Sequence, residues 1–404
     1  MTPAKESGAV SSADHDVVVV GGGIGGLGSA LALARAGQRV RVLEQAPAFG
    51  EVGAGLQMAP NATRILREWG LLDEVVDRGV LPRRLVLRDA VDGKELTHLD
   101  LAWAARQYGA PYVVIHRSDL HAILVDACRA AEVELVTDAH VDDVEVTDIG
   151  ATAVQGAHRH PAALVLAADG LQSGLRARLS ADTPVNSAYV AYRGAFPMSA
   201  VGDLDGLSAD DVVVYVGPGC HLVQYPLRGG AMLNQVAVFR SPTALAGAPE
   251  WGGPDELDEA FAGMCAQVRS ALTALWRDRK WPMFDRLPIS RWVEGRLALT
   301  GDAAHPMLQY LAQGACQALE DAHCLATLAT KQSAASTDHE PLEWDTILRT
   351  YNEARASRTA QVQERARFWG ELWHCDGMAR TLRNTMLRDR DPADRRHLDW
   401  LYAP

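Results

Sequence analysis

Long apolar runs are missing from this 404-residue chain, and no stretch approaches the roughly 18 residues that a membrane-spanning helix needs. The first sixteen residues, MTPAKESGAVSSADHD, lack the apolar centre of a secretory signal. Cysteine is sparse: the six present form no CxxC pair and no regular framework, so free thiols in a reducing, cytoplasmic compartment are expected. An excess of positive charge is also missing. The 39 Lys and Arg stand against 51 Asp and Glu, a net charge of −12, so no nucleic-acid surface is expected. No repeat with a period of roughly 20 to 50 residues occurs, which argues against a solenoid or propeller. His116, His121 and His374 have no Cys or carboxylate at metal-ligand spacing, so no metal is expected.

What is present is an ordinary globular balance, 48% hydrophobic and 22% charged, on a chain long enough for two to three domains at about 150 residues each. The clearest signal comes first. Val17 to Val20 is a continuous β-branched run, as a buried parallel strand requires. Gly21 to Gly26 form a tight turn. Leu27, Ala30, Leu31 and Ala34 then recur at helical spacing, Gly37 supplies a left-handed stop, and Arg39 to Leu43 is a second strand.

Within this βαβ unit, Gly21-x-Gly23-x-x-Gly26 has the spacing of a dinucleotide fingerprint. Gly21 permits the turn, Gly23 lets backbone approach a pyrophosphate, and Gly26 lets helix and strand pack closely. Glu44, closing the next strand, can accept hydrogen bonds from a ribose. This motif does not by itself separate NAD from FAD. Further on, residues 118 to 131 read as a helix with Ser118 as its N-cap, and Ala162 to Ala167 as a strand. Between about 186 and 240 the pattern changes to short alternating strands, Val212–Val216, His221–Leu227 and Met232–Phe239, which make an antiparallel meander. Leu297 to Thr300 returns to strand, a helix follows from about Ala315 to Thr330, Ser333 to Glu340 reads as a loop, and 345 to 386 is helix-rich. In that last region Trp369 and Trp373, four apart, read as one packed helical face.

Two motifs separate FAD from NAD. Asp169-Gly170-Leu171-Gln172-Ser173-Gly174-Leu175-Arg176 and Gly301-Asp302-Ala303-Ala304-His305-Pro306 each follow a strand. With Arg117-Ser118-Asp119-Leu120 and the glycine fingerprint, they make the chain resemble the single-component, class A flavoprotein aromatic hydroxylases over nearly its whole length. The resemblance implies an α/β fold: a Rossmann-like FAD-binding domain of the para-hydroxybenzoate hydroxylase type, interleaved with an antiparallel-sheet substrate domain and a C-terminal helical segment. The expected boundaries are a flexible tail at 1–14, FAD-binding segments at 15–82, 110–185 and 285–344, substrate segments at 83–109 and 186–284, and helices at 345–404.

The same resemblance implies roles. Glu44 looks like the ribose ligand, Arg117 like the arginine near the ribityl–pyrophosphate portion, Asp302 like the carboxylate on the ribityl hydroxyls, and Pro306 like the wall beside the flavin ring. Asp169, Gly170 and Arg176 resemble a motif associated with both FAD and nicotinamide binding, although Asp169 would equally cap a helix and Arg176 make a surface ion pair. His305 reads as structural rather than as a base. Gly314, at the start of a helix, would admit close approach of a flavin to the N-terminal dipole.

On the strand His221-Leu222-Val223-Gln224-Tyr225, alternation puts His221 and Tyr225 on one face with Val223 between them. That face suits a small aromatic acid; an exposed His and a core Tyr remain the alternative. GPGCHLVQYPLRGG, MLNQVAVF, HPMLQYLAQGA and FWGELWH resemble the 3-hydroxybenzoate 6-hydroxylase branch, in which the residues matching His221, Tyr225 and Gln309 line the substrate site. The resemblance therefore implies an FAD-dependent monooxygenase that takes NADH or NADPH and O2 and converts 3-hydroxybenzoate to 2,5-dihydroxybenzoate. Salicylate 1-hydroxylation, a flavin-free NAD dehydrogenase and a non-catalytic flavin-binding protein are the alternatives, and a homodimer is left open.

Overall fold

A computed structural model describes residues 15–50, 54–200, 210–335 and 342–403. The tail expected at 1–14 and most of the loop expected at 333–340 lie outside these residues; Ser333 to Ala335 continue a helix. The apolar run Val17–Val20 is fully buried at the middle of a six-stranded sheet. Its strands run in the order Val293–Glu294, Leu297–Leu299, Leu164–Ala167, Val17–Val20, Val40–Leu43 and Glu134–Val136. All neighbours are parallel except the first pair, as expected for strands buried on both faces. Helices Ile24–Arg35, Arg117–Ala130 and Gly314–Ala335 pack together on it. Gly37 ends the first of them at φ +85°, the left-handed stop that its sequence position implies. Ser118 is not a cap. His116 takes that position, its ring nitrogen accepting from the Ser118 N–H, because the helix begins one residue earlier than expected.

The alternating strands form a second sheet of seven, ordered Trp281–Asp285, Val185–Pro197, Met232–Arg240, Cys220–Leu227, Asp211–Gly217, Arg84–Asp89 and Glu95–Asp100. Its two faces are both buried, so its strands carry little polar alternation. One face, with Tyr192, Tyr215 and Phe239, packs on Leu257, Phe261, Val268 and Leu272. The other, with Val214, Val223, Val236 and Tyr225, turns towards the first sheet.

Two devices tie the second sheet to the rest of the chain. Gly55, on the strand Gly55–Met58, donates its N–H to Asn234 Oδ1 at 2.8 Å and lies so close to the Tyr225 ring that a Cβ there would stand 2.4 Å from it. The long helix Trp344–Trp373 reaches both halves. Arg355 binds Asp321 and Glu320 on Gly314–Ala335, and Arg367 binds Asp285 on the outer strand of the second sheet. Burial alone would raise the Asp321 pKa, but His305 and Arg355 outweigh it and hold it down to about 2. The charge of Asp321 is therefore kept, and it also accepts the Gly301 N–H at 3.0 Å. Removing one partner from such a buried network costs about 3–5 kcal/mol.

Candidate active site

Between the sheets lies a cavity of about 1050 Å³. Its first wall is built from the loops at the carboxyl ends of the parallel strands, where open α/β sheets take their ligands. Gly21 adopts φ +107°, and a Cβ on Gly26 would fall inside the Gly21 carbonyl oxygen, so this turn accepts no larger residue at either position. Gly23, Ile24 and Gly25 form the cavity surface where the helix Ile24–Arg35 begins, presenting its N-terminal dipole to whatever binds. Glu44 lies beneath the turn, accepting the Gly22 N–H at 2.6 Å and the Ala46 N–H at 2.8 Å.

Gly170, at φ +81°, and Arg117, the first residue of its helix, complete this side. Asp169 accepts the Leu175 N–H at 3.4 Å through Oδ2, while Oδ1 is buried without a partner.

The second wall is the Gly301–Gly314 loop. Asp302 is exposed to the cavity, and its carboxylate makes no hydrogen bond or ion pair among the described residues. Gly314 opens the helix Gly314–Ala335 beside it: a Cβ there would stand 3.9 Å from Asp302 Oδ1. Gln313, also at the cavity wall, accepts from Asn61 and Gln317 through Oε1, and its Nε2 is enclosed without a partner among the described residues. Backbone donors at two helix starts and an unspent carboxylate make a cradle for an elongated polyhydroxylated phosphate such as FAD.

Two expectations change here and a third holds. Pro306 is buried, its carbonyl held by Gln363 of the long helix, and Met307 rather than Pro306 reaches the cavity. Arg176 is no surface ion pair. It is fully buried, bonded to Asp182 and to the carbonyls of Leu287, Ala303 and Ala304, and so it clamps the loop that carries Asp302. Ligand cannot reach it. His305 is enclosed and bonded to Asp321 at 2.6 Å, the structural position expected of it.

The third wall is the inner face of the second sheet. His221, Val223 and Tyr225 all reach the cavity, as alternation requires, and Gln309 meets them from the loop side. His221 is buried, and its Nδ1 lies 2.8 Å from Nε2 of His374, which ends the long helix. Burial, then His374, pushes the His221 pKa well below the ordinary imidazole value. Burial, with Arg383 and Arg240, pushes His374 down to about 3. Both rings are therefore neutral at pH 7. Tyr310 and Trp373 pack on His221 at centroid distances of 5.5 and 5.2 Å, closing the pair off from water. Burial raises the Tyr225 pKa, keeping its phenol protonated. Trp369 and Trp373 both reach the cavity, so their shared helical face is a wall of it.

Sequence reasoning missed Tyr310 and Arg193 as cavity residues and His374 as the partner of His221. Arg193 had a usable signal, since it alternates with Tyr192 on the strand Val185–Pro197. The pairing of His221 with His374, 153 positions apart, had none.

Fold and cavity define a flavin-dependent oxidoreductase of the two-sheet type. The FAD binding domain family profile matches residues 14–366. The chain is 38% identical over 399 residues to 3-hydroxybenzoate 6-hydroxylase 1 of Aquipseudomonas alcaligenes, covering 96% of this chain and 98% of the relative. It is 36% identical over 402 residues to 3-hydroxybenzoate 6-hydroxylase of Polaromonas naphthalenivorans strain CJ2, covering 97% and 96%. Among solved structures, Klebsiella pneumoniae HpxO complexed with FAD and uric acid superposes with a TM-score of 0.82 at 25% identity, covering 96% of this chain and 97% of that one. The chain belongs to the class A FAD-dependent aromatic hydroxylases, monooxygenases that use FAD with a nicotinamide co-substrate. No helix among the described residues is long and apolar enough to cross a membrane, and no cluster of metal-ligating residues occurs among them.

Proposed function

We propose that this enzyme hydroxylates 3-hydroxybenzoate at the carbon para to its hydroxyl, giving 2,5-dihydroxybenzoate, with NADH or NADPH as reductant and O2 as oxidant. The observation that carries the reading is the meeting, in one cavity, of the His221–Val223–Tyr225 face and Gln309 with the cradle of Gly23, Arg117, Asp302 and Gly314. The names of the full-length relatives support the substrate. When bound, FAD accepts hydride from the nicotinamide and delivers one oxygen atom of O2 to the ring.

In this reading Asp302 accepts hydrogen bonds from the ribityl hydroxyls, and Glu44 keeps lone pairs for the adenosine ribose. The Gly23 turn meets the pyrophosphate, Arg117 and Asp169–Gly170 flank it, and Pro306 supports Met307 from behind. Gly314 leaves the helix dipole close to the flavin ring, which stabilises negative charge by up to about 2 kcal/mol.

His221 takes the substrate phenol proton. A phenol has a pKa of roughly 10, so little phenolate forms at pH 7 unaided, and the electrophilic oxygen needs that electron-rich ring. In the tautomer that donates its Nδ1–H to His374 Nε2, neutral His221 presents Nε2 as acceptor, and the positive charge it gains is stabilised by that donated Nδ1–H. A positioned base contributes about 10²- to 10⁴-fold when its pKa lies near the working pH, so this role requires the bound phenolate to raise His221 from the low value that burial gives it. Ortho and para carbons of a phenolate are both electron-rich, so position must choose between them. A misplacement of about 1 Å can cost about 10²-fold. Tyr225 and Gln309 set that position.

The test is chromatography of products from FAD-loaded enzyme, 3-hydroxybenzoate and each nicotinamide. The 2,5-isomer is expected. Formation of the 2,3- or 3,4-isomer overturns the regiochemistry; turnover of salicylate to catechol in preference overturns the substrate.

A further inference from the structure

The cavity contains a cation with no partner of opposite charge among the described residues. Arg193 lies on the strand Val185–Pro197, on the cavity wall. Its Nε is buried and unbonded, and its guanidinium makes no hydrogen bond or ion pair with any described residue. Trp281 lies 5.4 Å from it, a packing contact that leaves the N–H fork free. The groups felt electrostatically at Arg193 are Tyr225 and Arg117, and neither is a carboxylate. This is unlike the other arginines around the same cavity. Arg383 is bonded to Asn384 and to the Trp373 carbonyl, and Arg390 faces Asp391 and Asp394. A partly buried guanidinium without an anion is expensive to keep, and its rigid fork matches a carboxylate in two-point geometry.

Strand register fixes where Arg193 stands relative to the presumed ring site. Arg193 pairs with Val236, Val236 with Val223, Val223 with Val214, and Val214 with Leu87, so the five form one row across the sheet. All five reach the cavity. Val223 is flanked along its own strand by His221 and Tyr225, each roughly 7 Å away at two residues' rise. Arg193 is two strands to one side of Val223, roughly 10 Å away. A six-membered ring lying on Val223 and Val236 therefore has His221 along the strand and Arg193 across it. With the hydroxyl directed along the strand at His221, a substituent in the meta position points mainly across the strands. An ortho substituent points across the strands to the same extent, whereas a para substituent points straight along the strand to Tyr225, away from Arg193.

Resting on the proposed substrate reading, we propose that Arg193 is the anchor for the substrate carboxylate, and that its place in the Val223 row disfavours an acid whose carboxylate is para to the hydroxyl. Arg193 holds the carboxylate by a charge-assisted two-point contact; it moves no proton and takes no part in oxygen transfer.

The test titrates FAD-loaded wild type, R193M and R193K with 3-hydroxybenzoate and with its neutral counterpart 3-hydroxybenzamide, following the flavin spectrum. Wild type should bind the acid far better than the amide. R193M should weaken the acid by about 100-fold, the size of a charge-assisted contact, while the amide changes less than about threefold. R193K, which keeps charge without the fork, should fall between the two. If R193M binds the acid within threefold of wild type, or loses acid and amide together, Arg193 is not the anchor and its role is structural. If wild type binds neither, the 3-hydroxybenzoate reading falls and takes the anchor with it, whereas acid binding that survives R193M leaves that reading intact.

Discussion

Asp302 and Arg176 show how differently two charged residues of one loop region can act. Asp302 is exposed to the cavity and spends nothing on the fold, whereas Arg176 is enclosed and spends every donor on it. Asp302→Ala should therefore purify depleted of flavin, with the apoprotein melting within about a degree of wild type, since a surface substitution away from special features is usually within about 0.5 kcal/mol. Arg176→Ala leaves two loop carbonyls without their donor and Asp182 with Arg286 as its cation, and should cost about 3–5 kcal/mol, with flavin loss following from the displaced loop. Flavin-to-protein absorbance ratios and calorimetric melts of both apoproteins check this; equal FAD occupancy in Asp302→Ala and wild type would remove Asp302 from the cradle. The His221–His374 pair makes a second residue-scale prediction. His221→Ala should retain FAD and be reduced by nicotinamide, yet release more hydrogen peroxide per nicotinamide consumed. His374→Phe should show a weaker version, because His221 then keeps its place but loses the group that fixes its tautomer. Unchanged coupling in both variants would remove the pair from the mechanism.

Among the elements, the long helix Trp344–Trp373 carries more of the site than its sequence shows. Gly370 lets the helix lie against Tyr310: a Cβ there would stand 2.5 Å from the ring, which is itself boxed in by His221, Trp373 and His374. Gly370→Ala should destabilise the protein by about 1–3 kcal/mol, as overpacking does. It should also raise peroxide release, since Tyr310 can yield only towards the His221 pair. Thermal melts and peroxide assays on that variant decide it, and a melt and coupling equal to wild type would show that the ring has room.

This helix also marks the boundary of what the sequence makes legible. The run Val17–Val20, the glycine turn, the Gly37 stop and the meander around His221 are local signals, and each is where its pattern predicts. The shared face of His221 and Tyr225 follows from strand alternation alone. Contacts that depend on distant segments were not legible: Arg176 bonded to Leu287, Ala303 and Ala304, His221 paired with His374, and Gln363 holding Pro306. No periodicity encodes which helix end will meet which strand. The Ser118 cap failed for a smaller reason, a helix start one residue early that handed the capping position to His116.

For the molecule as a whole, the same buried groups make stability depend on pH with a definite sign. His221 and His374 are both pushed below the ordinary imidazole value of 6.5, the latter to about 3, and His160 is lowered as well. In the unfolded chain these rings take up protons as pH falls below about 6.5, whereas in the folded protein they resist doing so. The unfolded state thus binds more protons, and the fold loses stability as pH drops from 6.5 towards the folded values. The buried carboxylates act lower down. Asp321, held at about 2 against an ordinary 3.8, contributes stability that is lost only as pH falls from about 3.8 to 2. The two windows overlap only below about pH 3.8, where His374 is still losing stability towards its folded value of about 3. Between about pH 6.5 and 4.5 the melting temperature of wild type should fall mainly through the histidines, and a His221→Gln/His374→Gln double variant should lose most of that slope while keeping the small part due to His160. Below pH 4 both proteins should also lose the contribution of Asp321 and its partners, which are common to them, with wild type the steeper until about pH 3. Melting temperatures at half-unit intervals from pH 7.5 to 3.5 make the comparison; parallel curves above pH 4.5 would mean that the pair titrates normally in the folded protein, and neutral His221 would then lose its physical basis.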